Sequence, residues 1–242
     1  MQSLAAGTTP VERAILECED HLKADCWDGE PPFVVLGALA NLHAHADRID
    51  EARALVDQAL DEVRAAGLAW NVVSAIFVAG VVERSVSNLT QAETHLRTAY
   101  ELLEAEDDWS FLADCGGWLA CVRALLGDVE RARRPAQVAR RLAKPADPSA
   151  DLIWRRAHAL IAAHDGRHEE AAELSGQALE LVRATDVLVA PGEVLEESAF
   201  MRELAGDPAG ARDALSEALG AFERKGSVAG GRRVRDRLAA MR

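Results

Sequence analysis

Histidine, cysteine and carboxylate side chains are the groups able to hold a metal ion or move a proton, so their spacing comes first. His43 and His45 stand two apart, which on a helix directs them about 200° from one another. They therefore read as solvated or inward-facing histidines and not as a ligand pair. His164 and His168 have the four-residue spacing of a helical metal pair, but Asp165-Gly166 breaks the helix between them. Cys115 and Cys121 lie six apart on one helix. A nucleophilic thiol would need a histidine brought from elsewhere in the chain, so both read as buried thiols. No GxxxxGK phosphate loop is present. The expectation is therefore no catalytic residue, no metal and no cofactor, with enzymatic activity left open and not favoured.

Two further groups invite a binding role. Arg131, Arg133, Arg134, Arg140, Arg141 and Lys144 make a basic ridge that resembles a phosphate or nucleic-acid patch. The acidic background reads it instead as a solvated face paired with neighbouring acids. Five tryptophans stand among only 5% aromatic residues. Trp70 and Trp109 open corresponding helices and read as packing, whereas Trp27 and Trp118 are freer to stack on a ligand.

Composition limits the classes of partner. The 242 residues carry a formal charge of −13, which repels nucleic acid at long range. Apolar residues make up 49%, enough for a packed interior. Alanine and leucine dominate them, which favours helix. The four cysteines show neither CxxC nor zinc spacing. With no basic-then-apolar leader and no membrane-length apolar run, a cytoplasmic protein without a membrane partner is expected.

The elements that must position these groups are written in a repeat. Turns begin at Asp47, Ser87, Gly127, Gly166 and Gly206, in steps of 40, 40, 39 and 40 residues. Five residues into each copy stands an alanine: Ala52, Ala92, Ala132, Ala171 and Ala211. Seven residues later comes another: Ala59, Ala99, Ala139, Ala178 and Ala218. Twelve residues before the first, the residue is again small: Ala40, Gly80, Ala120, Ala159 and Ala199. Seven residues are nearly two helical turns, so each alanine pair lies on one stripe of one helix. The small residue upstream lies on the preceding helix and lets the two approach closely. A single helix pair cannot bury its apolar face, so the pairs must stack.

The expected helices follow. A capping box at Thr9 to Glu12 opens the first. Asn88 with Gln91 gives a second box, and Asp128, Asp207 and Ser227 are further caps. The β-branched stretch Val72 to Val82 resembles a strand, but the repeat register makes it helix. Gly116-Gly117 marks a bend or a close approach, and Pro135 a kink or a delayed helix start. Arg232, Arg233, Arg235 and Arg237 give the last helix a polar outer face.

The pattern resembles the tetratricopeptide repeat family, which has the same small residue and paired alanines. It departs from that family in length, since the usual period is 34 residues, and in lacking the closing proline. The longer repeat is similar to the C-terminal tails of bacterial multidomain regulators, namely STAND-type ATPases, LuxR- and MalT-type activators and class III nucleotide cyclases. The words that carry this likeness are Leu152-Ile-Trp-Arg155, Gly166-Arg-His-Glu-Glu-Ala171, Leu204-Ala-Gly-Asp207 and Ala218 to Gly226.

What the resemblance implies is an all-α fold, a right-handed α-solenoid of antiparallel helix pairs with a period of about 40 and about 12 helices. Residues 1–8 would be a flexible lead and 9–242 one repeat domain. Its repeats lie near 31–67, 68–107, 108–146, 147–186 and 187–226, with cap helices at 9–25 and 227–241. In such solenoids the first helix of each pair lines the concave face. Carried over, that places Asn41, His45, Phe77, Arg84, Asp114, Cys121, Arg156, Glu193, Glu196 and Phe200 in a groove, with Trp118 beside them. The expected groove is apolar at its centre and acidic at its C-terminal end, unless the longer repeats close it and pack these residues as core.

Three functions fit. The favoured one is a non-enzymatic scaffold that binds a protein or peptide segment in the groove for regulation or signalling. The second is a receptor or sequestering protein for an amphipathic small molecule, or a repurposed enzyme, using the same groove. The third is a purely architectural tail or one that forms a homodimer.

Overall fold

In a computed structural model, residues 7–23, 32–105, 109–144, 147–184 and 189–241 are described. The loop around Cys26 and Trp27 lies outside them. Twelve α-helices run along these residues, with no strand among them. They are α1 (Val11–Lys23), α2 (Pro32–His45), α3 (Ile49–Ala65), α4 (Ala69–Ser85), α5 (Leu89–Ala105) and α6 (Trp109–Leu125). Then follow α7 (Val129–Leu142), α8 (Pro148–His164), α9 (His168–Arg183), α10 (Val189–Leu204), α11 (Pro208–Lys225) and α12 (Val228–Ala240). The helix break between His164 and His168 is present as expected.

The repeat is visible in the backbone. Asp47, Ser87, Gly127, Gly166 and Gly206, one per repeat, all have φ between 65° and 81°. At each, the next residue's N–H reaches back five positions, as from Arg48 to His43 O and from Asp207 to Arg202 O, both at 2.9 Å. This is the left-handed helix ending in which a reversed residue satisfies the orphan carbonyls. It turns the chain sharply and sets each second helix antiparallel to its first. Asp47 and Ser87 adopt it despite their Cβ atoms.

The paired alanines are all buried, and so are the five small residues upstream. They fill the contact of α2 with α3, α4 with α5, α6 with α7, α8 with α9, and α10 with α11. A Cβ on Gly80 would lie 2.6 Å from Leu96. A Cβ on Gly116 would meet the Pro135 carbonyl at 2.9 Å, and one on Gly117 would meet Ile153 at 2.7 Å. The Gly116-Gly117 pair thus serves close approach to α7 and α8.

Pro135 sits inside α7 without delaying its start. Proline has no N–H for the carbonyl four residues back. That carbonyl, of Arg131, accepts instead from Arg123 Nη1 at 3.0 Å.

Two expected caps are used otherwise. Glu12 accepts from Arg48 at 2.5 and 2.6 Å, and Asn88 donates to Glu83 at 2.7 Å. Asp128 occupies its cap position without a capping bond and pairs with Arg131. Asp207 and Ser227 do cap, as does Asp147.

The chain ends come back together. α12 packs on α11 and also touches α2. Lys225, fully buried, donates to the carbonyls of Gly7 at 2.6 Å and Thr9 at 2.7 Å. Arg232 reaches Asp47 at 2.9 Å, and His45 meets Ser227 Oγ at 3.2 Å. The last helix therefore does not present all its arginines outward, since Arg233 and Arg237 turn toward Glu196.

Candidate functional site

The first helices of the pairs (α2, α4, α6, α8 and α10) line the inside of the stack. Their side chains meet across it. Arg84 of α4 contacts Glu193 at 2.9 Å and Glu197 at 2.5 Å, both on α10. Arg156 of α8 donates to Glu197 through Nε at 2.9 Å and Nη2 at 2.8 Å, and to Glu193 at 3.1 Å. Trp118 of α6 underlies both arginines, with the guanidinium carbons 4.8 and 5.1 Å from its ring centroid. Beside this quartet, Arg233 holds Glu196 with two bonds and donates to Ser85 O at 2.5 Å.

The expected apolar centre is thus a buried, charge-balanced ion cluster. The acidic C-terminal end is likewise neutralised: Glu193 pairs with Arg84 and Arg156, and Glu196 with Arg233. The misplaced expectation has a simple cause. Arg84 and Glu197 are 113 residues apart, and only the return of the superhelix brings them together.

The electrostatics follow from burial. Desolvation alone would raise the Glu193 carboxyl, but Arg84 and Arg156 outweigh it and hold it at about 2. Glu197 is held down by the same arginines against the same penalty. Burial lowers His45 to about 4, with Glu193 opposing, so its imidazole is neutral. Burial pushes the Cys121 thiol up to about 12, which makes it a poor nucleophile.

The remaining expected residues divide. Phe77 leans edge-on against Phe111 at 4.7 Å and Trp118 at 6.5 Å. Phe200 stacks near His164 at 5.7 Å. Asn41 has a buried Oδ1 with no partner. Asp114 stands apart from the cluster and, among the described residues, accepts only from the Ser149 hydroxyl, at 3.5 Å. Sequence reasoning missed Glu197, Arg233, Ser227 and Lys225. The four-residue step from Glu193 to Glu197 was the available signal for the first.

The basic ridge on α7 pairs with acids. Arg131 takes Asp128, Arg133 takes Glu130 and Asp165, and Arg134 takes Glu104. Arg140 covers Trp154.

One mouth of the interior keeps a cavity of about 190 Å³. Leu89, Leu125 and Phe200 form its apolar wall, and Arg84, Arg233, Arg237, Glu193, Glu196 and Glu197 its polar one. No helix of the described residues is long and apolar enough to cross a membrane. No metal-holding group of histidine, cysteine and acid side chains occurs among them.

No protein-family model and no curated protein matches the chain. Solved structures do. A Rap protein complexed with competence and sporulation factor superposes with a TM-score of 0.57 at 16% identity, covering 96% of this chain and 70% of that one. The apo form of the quorum sensor NprR from B. thuringiensis gives 0.54 at 14% identity, covering 96% of this chain. The chain spans only 64% of that protein's length. BtubC (BKLC) from P. vanneervenii gives 0.54 at 16% identity, covering 96% of this chain and 92% of that one. At such identities the likeness is one of fold: the chain has a TPR-like helical-repeat fold.

Proposed function

We propose that residues 9–242 form one non-enzymatic TPR-like scaffold that takes a protein or peptide segment on its inner face and serves regulation or signalling. The observation that carries this reading is the cavity beside Phe200, a polar and apolar recess of about 190 Å³ at the mouth of an interior braced by ion pairs. Sites for drug-sized molecules run to roughly 300–1,000 Å³. The recess instead suits one side chain inserted from a longer segment that lies over the mouth. Two neighbours of the same fold lend support, one a quorum sensor and one complexed with competence and sporulation factor. The interior offers little for chemistry. Glu193 and Glu197 are paired, His45 is neutral and walled in, and the Cys121 thiol is held protonated.

The carboxylates that line the cavity are cancelled by arginines, so net charge does not select the segment there. Shape and a matched apolar anchor do. Such anchors carry most of the binding energy of a small interface.

The test is selection from a displayed random peptide library on the wild type, followed by affinity measurement on Phe200→Asp and Leu125→Asp. The expected result is an enriched segment class that loses at least about tenfold in affinity, roughly 1.4 kcal/mol, in both variants. Selected segments that bind both variants unchanged would remove the cavity from the account.

A further inference from the structure

The inner helices of the described residues carry seven carboxylates, and six have an arginine. Glu83 has Arg53, Asp151 has Arg155, Glu193 and Glu197 share Arg84 and Arg156, Glu196 has Arg233, and Glu203 has Arg237. Asp114 on α6 is the exception. Among the described residues its carboxylate accepts only from the Ser149 hydroxyl.

The surroundings of Asp114 are aromatic. Phe111 and Trp118 lie three residues before and four residues after it, on the same helix face. Across from them, α4 touches α6 only lightly, and rings fill the wedge. Phe77 packs on Phe111 at 4.7 Å and Trp70 on Phe111 at 6.2 Å. At the N-terminal rim of these helices, Leu68, Trp70 and Trp109 are 43%, 43% and 51% exposed. Trp70 is left this open while its ring meets Phe111, which marks a contact surface.

The stretch of sequence that carries Asp114 has no basic residue of its own. No lysine or arginine lies between Arg97 and Arg123, whereas Glu101, Glu104, Glu106, Asp107, Asp108 and Asp114 do. Of these, Glu101 already holds Arg97 and Glu104 holds Arg134.

We infer that the rim formed by the starts of α4 and α6 docks a protein segment in which a lysine or arginine adjoins an apolar side chain. The cation seats on Asp114 and on the faces of the neighbouring rings, and the apolar group packs on Trp70 and Trp109. Both halves of the fit are physical. A partly buried carboxylate without a counter-ion gains a charge-assisted hydrogen bond, and a cation over an aromatic face gains quadrupole attraction. Desolvation raises the Asp114 carboxyl to about 6, with Asp147 adding to it, and this matches an acid short of a partner. The rim is a different surface from the cavity beside Phe200, so the inference stands or falls separately from that reading.

The experiment titrates the full chain with a fluorescein-labelled hexapeptide of alternating leucine and lysine, and with its twin in which glutamate replaces lysine. Anisotropy reads binding. The basic peptide is expected to bind, and the acidic twin not to. Asp114→Asn and Trp109→Ser should each weaken binding at least about tenfold, Phe200→Asp should leave it unchanged, and Asp114→Lys should take the acidic twin in place of the basic one. Absence of binding by the basic peptide, or equal binding to wild type and Asp114→Asn, overturns the inference. Loss in Phe200→Asp but not in Asp114→Asn would move the peptide to the cavity and overturn it as well.

Discussion

Arg84 on α4 and Glu197 on α10 meet at 2.5 Å inside the stack, although 113 residues of chain separate them. Their contact joins the second helix pair to the fifth and makes the repeat array close on itself. A buried ion pair is costly to break from one side, because the remaining charge stays desolvated. Arg84→Met and Glu197→Met should each destabilise by about 3–5 kcal/mol. The double replacement should cost less than the sum of the two, since no uncompensated charge is left by that pair. Urea unfolding of the three variants measures this coupling, and strict additivity would mean that the pair does not act as a unit.

The acid limb of stability should carry two signatures. The folded pKa of His45 is depressed to about 4 from 6.5. The unfolded chain therefore takes up its proton first as pH falls, and stability drops between pH 6.5 and 4. That loss amounts to at most roughly 3 kcal/mol. Glu193 is depressed from 4.5 to about 2, so its contribution is present above pH 4.5 and is lost below it. Denaturant melts at successive pH values should show both slopes, and His45→Gln should flatten the upper one alone.

Turn residues give a third test. Ser87 holds φ 65° where three of the other repeats have glycine. A side chain in this region costs roughly 1–2 kcal/mol, so Ser87→Gly should stabilise by about 1 kcal/mol, after allowing for glycine's greater freedom when unfolded. Asp47→Gly should give less, because it also removes the contact with Arg232. Thermal melts compare the two directly.

What was legible in the sequence follows from the range of each interaction. The turn at Ser87 and the stripe of Ala92 and Ala99 are set by neighbours a few residues away, and the 40-residue recurrence multiplies that local signal. Arg84, Arg156 and Glu193 are buried on a face that helix register alone decides. Their partners were not legible. Whether Arg84 faces solvent, a ligand or Glu197 depends on superhelical curvature, which sums small rotations over five helix pairs. The same limit hid Lys225, whose acceptors Gly7 and Thr9 stand at the other end of the chain. Local polarity misled at α12 for a related reason. Four arginines read as an outer face until Arg233 finds Glu196 and the Ser85 carbonyl.

Asp114 offers the last prediction, and its sign is opposite to that of the other acids. Its folded pKa is raised from 3.8 to about 6, chiefly by burial. Between those values the folded chain binds the proton more tightly than the unfolded chain. Stability therefore falls as pH rises from 3.8 to 6 and stays lowered above. At pH 7 the ionised carboxylate is a net cost. Allowing for its partial exposure and solvent screening, that cost is about 1 kcal/mol. Asp114→Asn should raise stability by that amount at pH 7 and leave it nearly unchanged at pH 4. Urea unfolding at the two pH values decides the matter. A stabilised Asp114→Asn that also loses the basic peptide would place Asp114 among residues whose function is kept at the expense of folding. A destabilised variant would show instead that the Ser149 contact is structural.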